Sequence, residues 1–453
     1  MNELVKDEKK IANNTLKILV VNDVFPHIKN RTTILFKNIV PIIKKTLDVK
    51  IFWIITDDYG ERIKDTDPNY EIFYLSDFNN AREILEKIKP DLSYHLIGNS
   101  IMDYAFMEAE RTLNIPNFGF ADAHYIISEN KDEMVIGDYF RDQTSRKKIF
   151  LENSRQFFEK KNIGFENDDE TIRGKNFLRK CYFLIKTLRS IGKSHIQVTM
   201  ILFQLFKLLY LTPPTKFNER YNCDLIFTES KSGIDYLELS GLKRENIRVV
   251  GNPVFDNAFE KRNESKFSSN DELKVLFITA NLGSGQGKSD FSKSRRDQMI
   301  NETISSLQKM EKDLSLMIKI HPTAENYVEF EKFTKKSKNI QISQKDDIIE
   351  LLNKTDIVIT PVTSTAALIA LIMNKPIILW NYFHVEEDLL LRKNIALECK
   401  SNKEISNCVD SAKSFTENNS EKIREFIDEN FSYGNSSQRI VDEILTFIKK
   451  RNS

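Results

Sequence analysis

Asp356-Ile357-Val358-Ile359-Thr360-Pro361-Val362-Thr363-Ser364-Thr365 runs directly into Ala366-Ala367-Leu368-Ile369-Ala370-Leu371-Ile372-Met373, and Asn374-Lys375-Pro376 then leads to Ile377-Ile378-Leu379-Trp380. This reads as strand, hydroxyl-rich turn, apolar helix, strand. Upstream, Leu316-Met317-Ile318-Lys319-Ile320-His321-Pro322-Thr323 has the same character: an apolar strand whose carboxyl end carries polar residues. In open α/β sheets ligands bind beyond the carboxyl ends of the strands, so the two stretches mark both the fold class and a candidate site.

The alternation extends outward in both directions. In the second half, strands are predicted at Lys274–Thr279, up to His321, at Ile340–Ser343, at Asp356–Thr360 and at Pro376–Trp380, with helices near Asp297–Lys309, Asp347–Leu352, Ser406–Phe415 and Ser437–Lys450. In the first half, strands at Lys17–Asp23, Val49–Thr56, Asp91–Ile97 and Ile115–Phe120 alternate with helices over Thr32–Lys45, Asn79–Lys89 and Met102–Leu113. Order breaks from Ala123 to Tyr210, where helical spacing dominates, and resumes at Asp224–Thr228. The polar stretch Asn263–Asp271 reads as a linker. The expectation is an α/β protein of two doubly wound domains facing a cleft: residues 15–262 with a helical insertion at about 125–215, residues 272–435, and a closing helix at 436–453.

Composition bounds the function classes. At 453 residues the chain has room for about two to three domains. Its 40% hydrophobic and 29% charged residues are those of a water-soluble globular protein, and a net charge of +1 argues against a nucleic-acid binder. The four cysteines are widely spaced with no CxxC pair, which argues against a disulfide framework or a zinc site and fits a reducing, cytoplasmic compartment. Polar residues up to Asn14 predict no signal peptide, and no apolar run reaches the ~18 residues of a membrane span.

Several residues are candidates for chemistry. Thr363, Ser364 and Thr365 precede an apolar helix, whose amides and dipole attract anions; the alternative is plain N-capping. Pro322 biases His321 to extended geometry at the strand end, where it can donate to, or neutralise, a pyrophosphate leaving group; the alternative is a hydrogen-bonded loop histidine. Gly283-Ser284-Gly285-Gln286-Gly287-Lys288-Ser289 superficially resembles a Walker A loop, but position 282, where that motif needs glycine, is Leu. Gly283 and Gly285 then belong either to a glycine loop over a donor phosphate or to a flexible turn. In the first half, His27 follows the first strand, and Asp122 and His124 follow the fourth. Each is a candidate base for an acceptor hydroxyl; a helix cap for Asp122 and plain packing for His27 are the simpler roles.

The insertion is unusual in charge. Between Thr171 and Lys216 stand Arg173, Lys175, Arg179, Lys180, Lys186, Arg189, Lys193, Lys207 and Lys216, with no acidic residue, around the mostly apolar Ile196–Leu211. One reading is a peripheral contact through 171–216 with an anionic membrane surface, on its inner face; the other is a helical hairpin packed on the first domain with a solvated basic face.

Two Rossmann-like halves with Val250-Gly251-Asn252-Pro253-Val254-Phe255-Asp256 at their junction resemble the GT-B architecture. His321-Pro322 with the 363–365 cluster is similar to motifs of bacterial polysialyltransferases, capsule-type Kdo transferases and CDP-glycerol glycerophosphotransferases. The resemblance implies that His321, Ser364 and Thr365, and more weakly Thr363, contact the donor's phosphates. Gly251-Asn252-Pro253 also resembles non-hydrolysing UDP-N-acetylglucosamine 2-epimerases and adds Asn252 to the substrate-binding candidates. The epimerases' Arg-xx-Thr-Glu-Arg-Pro-Glu pattern is absent; Asn381-Tyr382-Phe383-His384-Val385-Glu386-Glu387 stands there. Glu386 or Glu387 is a candidate to hold a ribose or sugar hydroxyl, or is simply an acidic pair at a helix start. The implied activity is a metal-independent, cofactor-free glycosyltransferase with a nucleotide-sugar donor and a glycan or lipid-linked acceptor in surface polysaccharide synthesis. The alternatives are a sugar-nucleotide 2-epimerase and a non-catalytic nucleotide-sugar-binding protein.

Overall fold

The computed structural model describes residues 15–22, 25–27, 31–56, 67–97, 101–121, 169–210, 222–239, 241–262, 272–279, 292–322, 325–335, 337–384, 388–431 and 434–452. The chain divides into two compact units, residues 1–254 with 435–453, and residues 255–434.

The first unit contains β1 (Leu16–Asn22), α1 (Arg31–Ile43), β2 (Val49–Ile55), β3 (Tyr70–Tyr74), α2 (Ala81–Ile88), β4 (Leu92–Leu96), α3 (Ile101–Leu113), β5 (Asn117–Ala121), α4 (Asp169–Ser190), α5 (His195–Tyr210), β6 (Leu225–Thr228), α6 (Ser232–Leu239) and β7 (Ile247–Val249). Its strands form one sheet in the order β3-β2-β1-β4-β5-β6-β7, every neighbouring pair parallel. Both faces are covered, as parallel sheets require, and the side chains alternate accordingly. Along β1, Leu16, Ile18 and Val20 enter one core, while Leu19 and Val21 enter the other. The same alternation in β2 sends Trp53 to the first and Phe52 to the second.

The second unit contains α7 (Asp256–Lys261), β8 (Leu273–Ile278), α8 (Lys293–Leu307), β9 (Leu314–Lys319), α9 (Glu331–Thr334), β10 (Ile340–Ser343), α10 (Ile348–Asn353), β11 (Ile357–Thr360), α11 (Thr365–Ile372), β12 (Ile377–Trp380), α12 (Leu389–Arg392), β13 (Leu397–Cys399), α13 (Ile405–Asn418) and α14 (Ser420–Phe431). The sheet order is β10-β9-β8-β11-β12-β13, again all parallel. Renumbered within the unit this is 3-2-1-4-5-6, the doubly wound order, with its direction reversing between β8 and β11. The last helix, α15 (Ser436–Asn452), returns to the first unit, where Ile440, Val441 and Ile444 join the core of Phe36, Ile39 and Ile43 on α1.

Several elements go beyond the sequence reading, β3, β13 and α14 among them. β3 is half-buried at every position and lies at the sheet edge, so it lacks a clear alternation. β13 has only three residues, and α14 follows α13 after a single residue. The described part of the basic insertion is a helical hairpin packed on the helices α2 and α3 of the first unit. Phe183, Leu184 and Leu188 of α4 and Val198 and Leu205 of α5 share a core with Ile84, Leu85 and Phe106. Thr187 Oγ1 accepts the N–H of Ala81 at 3.0 Å, and Arg82 donates to the carbonyl of Ser190 at 2.8 Å. No helix among the described residues is long and apolar enough to cross a membrane.

Candidate functional site

The reversal of strand order in the second unit gathers polar groups at the carboxyl ends of β8, β9 and β11. With strands about 4.8 Å apart, the ends of β9 and β11, which flank β8, stand roughly 10 Å from each other.

His321 lies two residues past β9 and is half-buried. Its backbone N–H donates to Glu325 Oε2 at 2.7 Å. The same carboxylate oxygen accepts the hydroxyl proton of Thr279, the residue just past β8. Glu325 is buried, and its other oxygen lies 3.8 Å from Arg296 Nη1. Arg296, buried on α8, is itself held by Asp297, by Glu329 Oε2 at 3.1 Å and by the ring of Phe330, 4.4 Å from its guanidinium carbon. A buried carboxylate without such partners would be too costly to keep ionised. From the other side, Gln344 Nε2 donates to the carbonyl of Glu325 at 2.7 Å and lies 3.4 Å from that of Pro322. The His-Pro turn is therefore pinned at its amide and at its carbonyls.

Burial pushes the His321 pKa below its ordinary 6.5; Glu325 opposes the shift and the Lys319 ammonium adds to it. At neutral pH the imidazole is thus uncharged, with one ring N–H to donate.

The hydroxyl cluster after β11 divides its labour. Thr363 donates both its N–H (2.7 Å) and its hydroxyl proton (2.6 Å) to the carboxylate of Asp388. Asp388 also accepts the N–H of Leu390 at 3.0 Å and so caps α12. Ser364, with extended φ and ψ of −138° and 166°, caps α11 by accepting the N–H of Ala367 at 3.2 Å. Capping and anion attraction are compatible, because one hydroxyl satisfies one amide while the rest of the first turn keeps its positive end toward the strand ends. Thr365 opens α11.

The remaining candidates are placed elsewhere. In the first unit, His27 is exposed and stacks on Phe25, with centroids 5.6 Å apart. Asn252 is buried; its side chain donates to Glu229 and accepts the N–H of Val254 at 2.9 Å. Gly251 before it holds φ at +83°, which glycine adopts without strain. Asp122, His124, Gly283, Gly285 and Glu387 lie outside the described residues. Glu325, Asp388, Arg296 and Thr279 are absent from the sequence-derived set. Glu325 stands four residues past His321, but nothing in that spacing announces a buried carboxylate.

A cavity lined by Arg262, Asn374, Lys375, Lys413 and Arg424 lies away from these groups, since Asn374 and Lys375 precede the amino end of β12.

A family model described as UDP-N-acetylglucosamine 2-epimerase matches residues 222–445. No curated protein matches the chain. Among solved structures, the wall teichoic acid polymerase TagF is similar with a TM-score of 0.51 at 10% identity, covering 100% of this chain and 96% of that one. A putative UDP-N-acetylglucosamine 2-epimerase from Listeria monocytogenes gives 0.50 at 14% identity, over 96% and 98% of the two chains. At such identities the likeness speaks for the fold. With the two doubly wound sheets it makes this a GT-B-type α/β protein of two Rossmann-like domains.

Proposed function

We propose that the protein is a glycosyltransferase that moves a sugar from a nucleotide-activated donor to a hydroxyl acceptor. The observation that carries this reading is the pairing of His321 and the Ser364-capped α11 on the two strands flanking β8. The acceptor oxygen attacks the anomeric carbon, the bond from that carbon to the phosphate oxygen breaks, and the nucleotide leaves through its phosphate. Its developing charge is met by the His321 ring N–H and the α11 amino end, both held in place before reaction begins. The acceptor proton passes to a base that this reading assigns to His27, Asp122 or His124. Gly283, Gly285 and Glu387 complete the donor contacts, and Asn252 contributes to substrate binding.

A second reading, sugar-nucleotide 2-epimerisation, is favoured by the family model that matches residues 222–445. The absent Arg-xx-Thr-Glu-Arg-Pro-Glu pattern argues against it. One experiment separates the two. The purified protein is screened by thermal shift against UDP, CMP, CDP, GDP and a set of nucleotide sugars, and each nucleotide sugar that stabilises it is then followed by NMR without acceptor. A His321-dependent shift with an intact sugar supports transfer. Conversion to the 2-epimer identifies an epimerase, and no shift with any nucleotide sinks both readings.

A further inference from the structure

The helix α5 has two apolar faces where a soluble packed helix needs one. Val198 and Leu205 of α5 are buried against the first sheet's helices, with Ile201 and Leu202 partly so. On the opposite side, Ile196, Met200 and Phe203 follow at spacings of four and three, which puts them on one stripe. They are 74%, 56% and 64% exposed. Tyr182 of α4 is also exposed, with Lys186 Nζ 4.6 Å from its ring centre. The chain balances 67 basic against 66 acidic residues overall, yet the stretch from Thr171 to Lys216 holds nine basic residues and no acidic one.

We propose that this outward stripe of α5, carried on a stretch of sequence rich in basic residues and without acidic ones, docks on the surface of an anionic lipid bilayer. The apolar side chains enter the boundary between headgroups and acyl chains, while the lysines and arginines meet the lipid phosphates. At 1.5 Å per residue, 16 residues of α5 extend about 24 Å, short of the roughly 30 Å hydrocarbon core, so the helix lies on the bilayer and does not span it. A second copy of the chain fits the stripe less well, because it would bring one basic stretch of sequence against another. A nucleic acid would account for the charge but leave Ile196 and Met200 without a role.

The test is co-sedimentation of the full chain with vesicles of phosphatidylcholine alone and of equal phosphatidylcholine and phosphatidylglycerol, at low and high salt. Because it measures binding and not transfer, its failure leaves the proposed reaction standing. The expected result is binding to the anionic vesicles that weakens with salt, and a loss of about tenfold or more in partition for the triple variant Ile196→Ser, Met200→Ser, Phe203→Ser. All three positions are exposed, so circular dichroism should match the wild type. Unchanged binding by the triple variant, or no binding of the wild type to either vesicle, overturns the proposal. So does a dimer in solution that the triple variant dissociates, which would give the stripe to a second copy.

Discussion

Glu325 takes the backbone N–H of His321 at 2.7 Å, so a buried carboxylate, and not the ring, fixes where the His-Pro turn leaves β9. Its other oxygen faces Arg296, and Thr279 ties it to β8. Glu325→Gln keeps the shape but removes the charge that balances Arg296. We expect a loss of about 3 kcal/mol, the order seen when a buried ion pair loses one partner. The two tryptophans, both buried, make the measurement specific: in a Trp53→Phe background, Trp380 alone reports urea unfolding of the second unit. An unchanged midpoint would show that Arg296 is satisfied by Asp297 and Glu329 without Glu325.

Protonation of His321 should follow donor binding. Its pKa lies below 6.5 in the free protein because the ring is half-buried near Lys319; a bound diphosphate offers negative charge and raises it again. Binding therefore takes up a proton near that pH, and affinity for the nucleotide rises as pH falls through it. Isothermal titration in buffers of different ionisation heat measures the uptake. The phosphate itself titrates nearby, so the decisive comparison is His321→Asn, which should retain only the ligand's own share. For folding the sign is opposite: with the folded pKa depressed, this group's contribution is present above 6.5 and declines as pH falls below it.

Thr363 and Ser364 should separate in stability measurements, although they are neighbours with similar side chains. Ser364→Ala removes one helix cap and should cost about 1 kcal/mol. Thr363→Val removes a hydroxyl donor from the buried Asp388 carboxylate and should cost about 2 kcal/mol, as hydrogen bonds to charged groups do. A double-mutant cycle of Thr363→Val with Asp388→Asn, read from Trp380, should give a coupling of about 1 kcal/mol or more. Additive effects would mean that the two side chains act independently.

These neighbours also show what a sequence can convey. The stretch 356–380 was legible because each strand is a short apolar run and Ser364 caps the helix locally, within three residues. The His-Pro turn was legible because proline restricts the residue before it. Nothing local marked Thr363 as the partner of a carboxylate, since Asp388 is 25 residues away and reaches it only through the return of β12. Glu325, near in sequence, owes its role to Arg296 on α8 and to Thr279 just past β8. Amphipathic spacing likewise identified α15 as a helix but not the sheet it covers, because Ile440 and Ile444 would suit any apolar surface. Period and capping are local properties, whereas partners of buried charges are set by topology.

In the first unit, His95 on β4 is fully buried between two carboxylates of α3, with Nδ1 3.0 Å from Asp103 Oδ1 and Nε2 2.8 Å from Glu110 Oε2. Asn117 on β5 donates to the same Glu110 oxygen at 2.9 Å. Burial alone would lower the imidazole pKa, but the two carboxylates outweigh it and push the value up to about 10. His95 is therefore a cation at neutral pH, clamping α3 to the sheet. Because its folded pKa is raised, its stabilisation is complete below 6.5 and is lost as pH rises toward 10, by at most about 1.4 kcal/mol per pH unit. In a Trp380→Phe background, Trp53 reports this unit, and its urea midpoint should fall steadily between those limits. His95→Gln should cost about 3 kcal/mol at pH 7 and flatten the slope, since two buried carboxylates then lack their cation at every pH. A wild-type midpoint that stays level to pH 10 would mean that the ring is neutral and the carboxylates hold the proton instead.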